Sequence, residues 1–286
     1  RPPRSTLFPY TPLFRSAHLE PLIRGARIIG ASAHPSAKFS SAPNAVGHVV
    51  TGVGRRGKYL LVGLDAGRGR QRELIIHLGM TGGLQVDDQR PRDPHCRAWW
   101  HLDDGRHLWF RDVRRFGRLV VVNRGDHRSL PTLHAMGPEP FDPKLGPRRF
   151  HRSLASTRQR IKTSLLSQRH VAGLGNIYAD ESLWRSRISP VSRRVGPERA
   201  DRLLGAIRNV LAEALRHGGT TLRDYRTPDG SRGRNQYRLD CYGRAGQPCP
   251  ACGTTLAGRI VDQRSPTRSE ERRVGKECRP RWSQYH

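Results

Sequence analysis

Residues 170–181 have the sequence HVAGLGNIYADE, which places a tight glycine turn between two stretches of helical spacing. Gly173 and Gly175 form the turn, and Asn176 stands where its side chain can cap the helix that follows. The backbone N–H groups at such a helix start bind a phosphate readily. An ordinary helical hairpin would use the same residues, so the segment predicts two helices and leaves phosphate binding open.

The flanking residues extend the helical pattern. A helix is expected over 150–167, another opens after Asn176, and a third runs from Pro197 to the stop at Gly218-Gly219. Prolines between 138 and 147 mark a linker before them. The chain beyond this linker is therefore predicted to be helical.

Upstream of the linker the pattern is of β type. Short apolar runs separated by glycine-rich turns predict strands at 27–34, 48–53, 58–64, 73–79, 97–102, 106–110 and 118–123. Asp103-Asp104-Gly105 is a hairpin signal between two of these runs. Many short strands at this spacing favour an antiparallel β-sandwich.

Composition indicates the partner. The 286-residue chain has a formal net charge of +28 and a pI near 11.5, and all but five of its cations are arginines. Positive charges in such excess repel one another and oppose compaction unless a polyanion binds, and guanidinium groups match phosphate oxygens. We therefore expect nucleic acid as the partner. No apolar run approaches the ~20 residues of a membrane span, and the start lacks a signal-peptide pattern, which disfavours a membrane or secreted protein. Five unevenly spaced cysteines argue for reduced thiols or a metal and against a disulfide framework, so we expect a cytoplasmic protein.

Two segments carry side chains suited to a DNA duplex. HLGMTG (77–82) places Met80 between glycines, and DVRRFG (112–117) places Phe116 beside two arginines. Both side chains are typical of a protein core. If they project from a basic surface, they can instead fill the gap left by an extruded nucleotide.

Two further signals are local. Cys249-Pro-Ala-Cys252 has the spacing that lets two thiolates bind one zinc ion. Structural zinc needs four ligands, so unligated or redox-active thiols are the alternative. Lys58 begins a strand on a basic turn, where a solvated edge lysine is its simplest interpretation.

Together these segments resemble the bacterial formamidopyrimidine-DNA glycosylase family from about Leu19 to Arg264. The matching stretches are LEPLIRG (19–25), GKYLL (57–61), HLGMTG, DVRRFG, GPEP (137–140), residues 161–184, GGTTLRDY (218–225) and YGRAGQPCPACGT (242–254). The resemblance implies an α+β fold with DNA held in a cleft between domains. Its parts are an N-terminal antiparallel β-sandwich (17–136), a helix–two-turn–helix domain (137–236) and a partial C-terminal zinc-finger hairpin (237–265).

The same resemblance implies the activity. Family members excise oxidised purines, including formamidopyrimidine and 8-oxoguanine, from double-stranded DNA through a Schiff-base intermediate, and they also cleave the strand at abasic sites. By position, the resemblance implies that Met80, Arg114 and Phe116 fill the void that the extruded nucleotide leaves in the duplex, a role called void filling below. It implies phosphate contacts for His95, Arg160 and Asn176. It implies a part in strand cleavage for Lys58 and Arg264, and zinc ligation by Cys249 and Cys252. It further implies one zinc ion and a bacterial, nucleoid-associated monomer.

The chain departs from the family near its start. The family's N-terminal proline amine and the adjacent glutamate should fall near positions 7 and 8, which are Leu7 and Phe8. Pro2 and Pro3 cannot replace that amine, because their nitrogens are amides. We therefore expect no base excision, which makes a non-catalytic damaged-DNA binding protein the alternative function and a basic DNA binder without lesion preference a third.

The finger also departs from the family. Its second cysteine pair should lie at positions 269 and 272, which are Ser269 and Arg272, so we expect weak or absent zinc. Residues 1–16 and 266–286 show no periodicity and resemble translated adaptor sequence. They are left outside the predicted fold.

Overall fold

The computed structural model describes residues 11–67, 69–220 and 234–257. The chain divides into two compact units. We call Arg1–His134 with Leu215–Arg234 the sandwich unit, and Ala135–Ala214 with Asn235–His286 the helical unit.

Within the described residues, the sandwich unit has two four-stranded antiparallel sheets. The strands are β1 (Ile28–Ala33), β2 (Val49–Arg56), β3 (Tyr59–Asp65), β4 (Gln71–His77), β5 (Gly83–Asp87), β6 (Cys96–Leu102), β7 (His107–Arg111) and β8 (Arg118–Asn123). One sheet has the order β1-β6-β7-β5 and the other β2-β3-β4-β8. Asp103-Asp104-Gly105 joins β6 to β7, as predicted.

Alternating side chains place the core between the sheets. Leu60, Val62 and Leu64 of β3 are buried with the period of two that a strand imposes. Trp100 of β6 belongs to the same core, and its indole N–H donates to the Ala42 carbonyl oxygen at 3.0 Å. The predicted β-sandwich is confirmed.

The helices are α1 (Thr11–Ile23), α2 (Pro131–His134), α3 (Pro147–Ala155), α4 (Ile161–Leu166), α5 (Asn176–Arg185) and α6 (Pro197–Arg216). α6 begins at the predicted proline and ends before two glycines of positive φ. Leu203, Ile207 and Leu211 form its buried face, which explains its regular apolar spacing. Within the described residues, none of the helices has the length and apolar character needed to cross a membrane.

Three elements differ from the prediction. β5 is an additional strand. The helix expected over 150–167 is divided into α3 and α4: Thr157 Oγ1 accepts the Gln159 N–H, and Arg160 has φ −60° and ψ 142°, outside the helical region. α1 begins at Thr11, so residues 11–16, left outside the predicted fold, are helical.

The C-terminal segment is described as far as residue 257. A short bridge pairs Pro248 with Thr255, and the Cys249 N–H donates to the Thr254 carbonyl oxygen at 2.9 Å. The remaining part of the expected finger hairpin (237–265) lies outside the described residues.

Candidate functional site

Two loops of the sandwich unit lie against each other. Residues 78–82 follow β4 and residues 112–117 follow β7, and we call them the paired loops. Gly79 has φ +66°, and a Cβ placed there would lie 2.7 Å from the Gly117 nitrogen. A glycine is therefore needed at this position, both for the left-handed backbone and for the close approach of the two loops.

Hydrogen bonds to one buried carboxylate join the paired loops. The Thr81 hydroxyl donates to Asp112 Oδ1 at 2.6 Å, and the Gly117 N–H donates to Oδ2 at 2.7 Å. The Arg114 N–H donates to Thr81 Oγ1 at 3.2 Å. The Asp112 carboxylate, which belongs to the second loop, thus accepts one hydrogen bond from each loop, and Thr81 also bonds directly to the second loop.

The three side chains assigned to void filling lie on these loops and are exposed. Met80 is 63% exposed and Phe116 is 36% exposed. The Arg114 guanidinium carbon lies 4.8 Å from the centroid of the Phe116 ring, within the range of a cation–π contact. A core role does not fit a methionine exposed to this degree.

His95 is connected to the paired loops through Arg97. The buried Arg97 donates from Nε to the Asp112 carbonyl oxygen at 2.8 Å, and its terminal nitrogen lies 3.4 Å from His95 Nδ1. The Asp112 N–H in turn donates to the His95 carbonyl oxygen at 3.0 Å. These bonds place His95 beside the second loop.

Lys58 lies in the turn between β2 and β3, at the end of the sheet where β4 leads into the first paired loop. Tyr59 is paired with His77 across β3 and β4, and their rings are 4.8 Å apart. Burial, together with the Lys58 charge, lowers the pKa of His77 to about 4, although Asp112 opposes the change. His77 is therefore neutral at physiological pH. Arg264, the other residue assigned to strand cleavage, lies outside the described residues.

In the helical unit, α4 and α5 meet through a turn held by Gln168. This buried side chain accepts the Gly173 N–H at 2.7 Å and donates to the Leu174 carbonyl oxygen at 2.6 Å. Its own backbone has a φ of +64°. Gln168 was missed from the sequence, because a glutamine in a polar segment carries no signal for a left-handed conformation.

Arg160 directly precedes α4, and Asn176 is the first residue of α5. The expected capping role of Asn176 is wrong: Gly175 occupies the N-cap, and no side chain caps this helix. The positive end of the α5 dipole therefore coincides with an amide side chain at the helix start. This arrangement suits a phosphate oxygen.

A buried ion pair connects α4 with α5. Lys162 Nζ lies 2.9 Å from Asp180 Oδ1. Burial raises the pKa of Asp180 to about 7, while Lys162 acts in the opposite direction. Lys162 and Asp180 are eighteen positions apart and lie on different helices, so helical periodicity in the sequence does not predict that they pair.

The C-terminal segment is attached to α5 through Glu181. Its carboxylate accepts the N–H groups of Asp240, Cys241 and Tyr242 at 2.8–2.9 Å. Within the described residues, no group of three or more His, Cys, Asp or Glu side chains is arranged to hold a metal ion. Cys249 and Cys252 are only two side chains, and a structural zinc site needs four ligands.

Each unit contains most of a known domain. Residues 15–119 match the formamidopyrimidine-DNA glycosylase N-terminal domain, and residues 136–226 match the formamidopyrimidine-DNA glycosylase H2TH domain. A β-sandwich followed by this helical domain defines the class as a DNA glycosylase with a helix–two-turn–helix motif.

Individual relatives specify the family. The formamidopyrimidine-DNA glycosylase of Deinococcus radiodurans is 43% identical over 258 residues, which cover 86% of this chain and 89% of the relative. That of Thermus thermophilus is 45% identical over 247 residues, covering 85% and 89%. The chain belongs to the formamidopyrimidine-DNA glycosylase family.

Solved structures agree with this assignment. The crystal structure of the MutM (Fpg) protein from Thermus thermophilus has a TM-score of 0.79 and 43% identity, covering 90% of this chain and 94% of that one. Lactococcus lactis Fpg in complex with DNA containing Fapy-dG has a TM-score of 0.76 and 30% identity, covering 89% and 95%.

Proposed function

We propose that this protein binds duplex DNA containing an oxidised purine or an abasic site and swings the damaged nucleotide out of the helix. Met80, Arg114 and Phe116 then occupy the vacated space. The exposure of these three side chains on two bonded loops carries the proposal. Solved complexes of Lactococcus lactis Fpg with Fapy-dG DNA and with abasic-site DNA support it.

The chemistry of the three side chains suits this role. Extrusion of a nucleotide costs a few kcal/mol of lost stacking and pairing. The Met80 thioether and the Phe116 ring replace apolar stacking surface, and the Arg114 guanidinium can donate hydrogen bonds to the unpaired base opposite the lesion.

Phosphate binding is assigned to His95, Arg160 and Asn176. His95 lies beside the paired loops, and the other two residues stand at helix starts in the helical unit. A chain of net charge +28 gains most of its sequence-independent DNA affinity from counterion release. Affinity for undamaged duplex is therefore expected to fall steeply as salt rises.

Strand cleavage at abasic sites is assigned to Lys58 and Arg264, and base excision is not expected. Leu7 and Phe8 supply neither the secondary amine that would form the Schiff base nor a carboxylate to move its proton. A damaged-DNA binding protein without base excision is thus the alternative function of this chain. We also propose a bacterial, nucleoid-associated monomer with a zinc finger that lacks its second cysteine pair.

Borohydride trapping on duplex containing 8-oxoguanine separates the two functions. The protein with a verified N-terminus is expected to bind this duplex in preference to undamaged DNA and to form no covalent adduct. The Thermus thermophilus relative, treated in parallel, is the positive control. A trapped adduct and free 8-oxoguanine from this chain would contradict the expected loss of base excision.

A further inference from the structure

The Asp112 carboxylate accepts hydrogen bonds from both paired loops. Its side chain is completely buried. A carboxylate in this position is stable only when donors satisfy its oxygens, and here the donors are Thr81 from one loop and Gly117 from the other. The same carboxylate therefore fixes the loop of Met80 and the loop of Phe116.

Thr81 extends this attachment to Arg114. Its hydroxyl oxygen donates its proton to Asp112 and accepts the Arg114 N–H at 3.2 Å. The residue next to Met80 thus holds the backbone of Arg114. A single hydroxyl group is shared by the segments that present two of the three void-filling side chains.

The second loop also contains a strained residue. Arg115, between Arg114 and Phe116, has φ +55°, a conformation that non-glycine residues rarely adopt. The ammonium group of Lys38 donates to the Arg115 carbonyl oxygen at 2.8 Å. An exposed lysine therefore supports the kink from outside, while Asp112 holds the loop from inside.

We propose that Asp112 and Thr81 are positioning residues that order Met80, Arg114 and Phe116 for entry into the duplex before DNA arrives. Loops already held in the bound conformation lose less entropy on binding, and this gain applies only to DNA that the side chains enter. Removing the Thr81 hydroxyl should therefore weaken binding to damaged DNA more than binding to intact DNA. This inference rests on the proposed function.

The test measures a ratio of affinities. The full chain is titrated with a duplex containing a tetrahydrofuran abasic analogue, which needs no catalysis, and with the matched undamaged duplex. Thr81→Val keeps the side-chain shape and removes the hydroxyl. We expect it to lower the ratio of affinities about tenfold and to change the undamaged-duplex affinity less than about twofold.

Two variants control this result, and a third tests the support of the kink at Arg115. Thr81→Ser retains a hydroxyl and should restore the ratio to within about twofold of the unaltered protein. Thr132→Val removes a hydroxyl that bonds to the Tyr59 side chain in the same unit, and it should leave the ratio unchanged. Lys38→Met, on the exposed surface, should lower the ratio about threefold through the kink at Arg115.

The outcomes separate this inference from the proposed function. If Thr81→Val keeps the full ratio, or weakens binding to both duplexes equally, the positioning role of Asp112 and Thr81 is wrong. If Thr81→Val does not fold, Lys38→Met alone decides by the same ratio. If the combined replacement of Met80, Arg114 and Phe116 by alanine leaves the ratio intact, the proposed function itself fails.

Discussion

Replacement of Lys162 by methionine removes one partner of the ion pair buried between α4 and α5. The two charged groups are 2.9 Å apart, with side chains that are 7% exposed at Lys162 and 1% exposed at Asp180. Loss of one partner leaves the other charge buried and uncompensated, which costs about 3–5 kcal/mol. We expect this loss in the free energy of unfolding of the helical unit.

The penalty should depend on pH. Burial already raises the pKa of Asp180 to about 7, and the loss of Lys162 removes the group that lowers it. In the folded variant the Asp180 carboxyl then keeps a proton that it releases above about pH 4 in the unfolded chain. The free energy of unfolding of the variant therefore falls as the pH rises. The loss should be greatest above pH 7 and should shrink toward about pH 5, where the buried acid is neutral.

Urea unfolding followed by far-UV circular dichroism at about pH 5 and about pH 8 measures both effects. Arg24→Met is the matched control: its pair with Glu20 is formed by a 66% exposed arginine, and its loss should cost below about 0.5 kcal/mol. Combining Lys162→Met with Asp180→Leu should recover most of the stability. A loss below about 1 kcal/mol that is the same at both pH values would refute the reasoning.

Three other predictions concern a histidine, a carboxylate and a metal. Burial first and the Lys58 charge second lower the pKa of His77, so its contribution to stability is complete above about pH 6.5 and is lost as the pH falls toward 4. Lys58→Gln should raise this pKa in a histidine NMR titration, and an unchanged value would contradict the electrostatic influence of Lys58. Glu181→Gln weakens three charge-assisted hydrogen bonds and should speed hydrogen exchange at residues 240–242, at a cost of about 1–3 kcal/mol; unchanged exchange would show that the segment is held otherwise. Elemental analysis should find less than one zinc ion per chain, with no change in Tm on EDTA treatment, because two thiols are half a site; one tightly held zinc would contradict the prediction.

The sequence predicted the elements whose apolar spacing is regular. Seven strands and α6 follow from alternation and from helical periodicity, since burial on one face imposes both patterns. β5 was missed because Gly83 and two polar residues leave it no apolar run. The break between α3 and α4 depends on a local side-chain hydrogen bond of Thr157, which periodicity does not report.

Some residues of the candidate site were likewise predictable from the sequence, and others were not. The resemblance supplied Met80, Arg114 and Phe116, but whether they project depends on how two distant loops pack. Asp112 and Thr81 are separated by 31 positions, so their hydrogen bond becomes visible only when the two sheets are assembled. The sequence therefore did not predict which buried polar groups pair over a long range, but it did predict which residues lie at the loop tips.

Equilibrium binding at a single salt concentration tests the central claim most directly. The affinity of the unaltered protein for a duplex with an abasic-site analogue is compared with its affinity for the same duplex without damage, and both are repeated after Met80, Arg114 and Phe116 are replaced by alanine. We predict a preference for damage of at least about tenfold that falls close to one in the triple variant. Equal affinities in the unaltered protein, or a preference that survives the triple replacement, would contradict this claim.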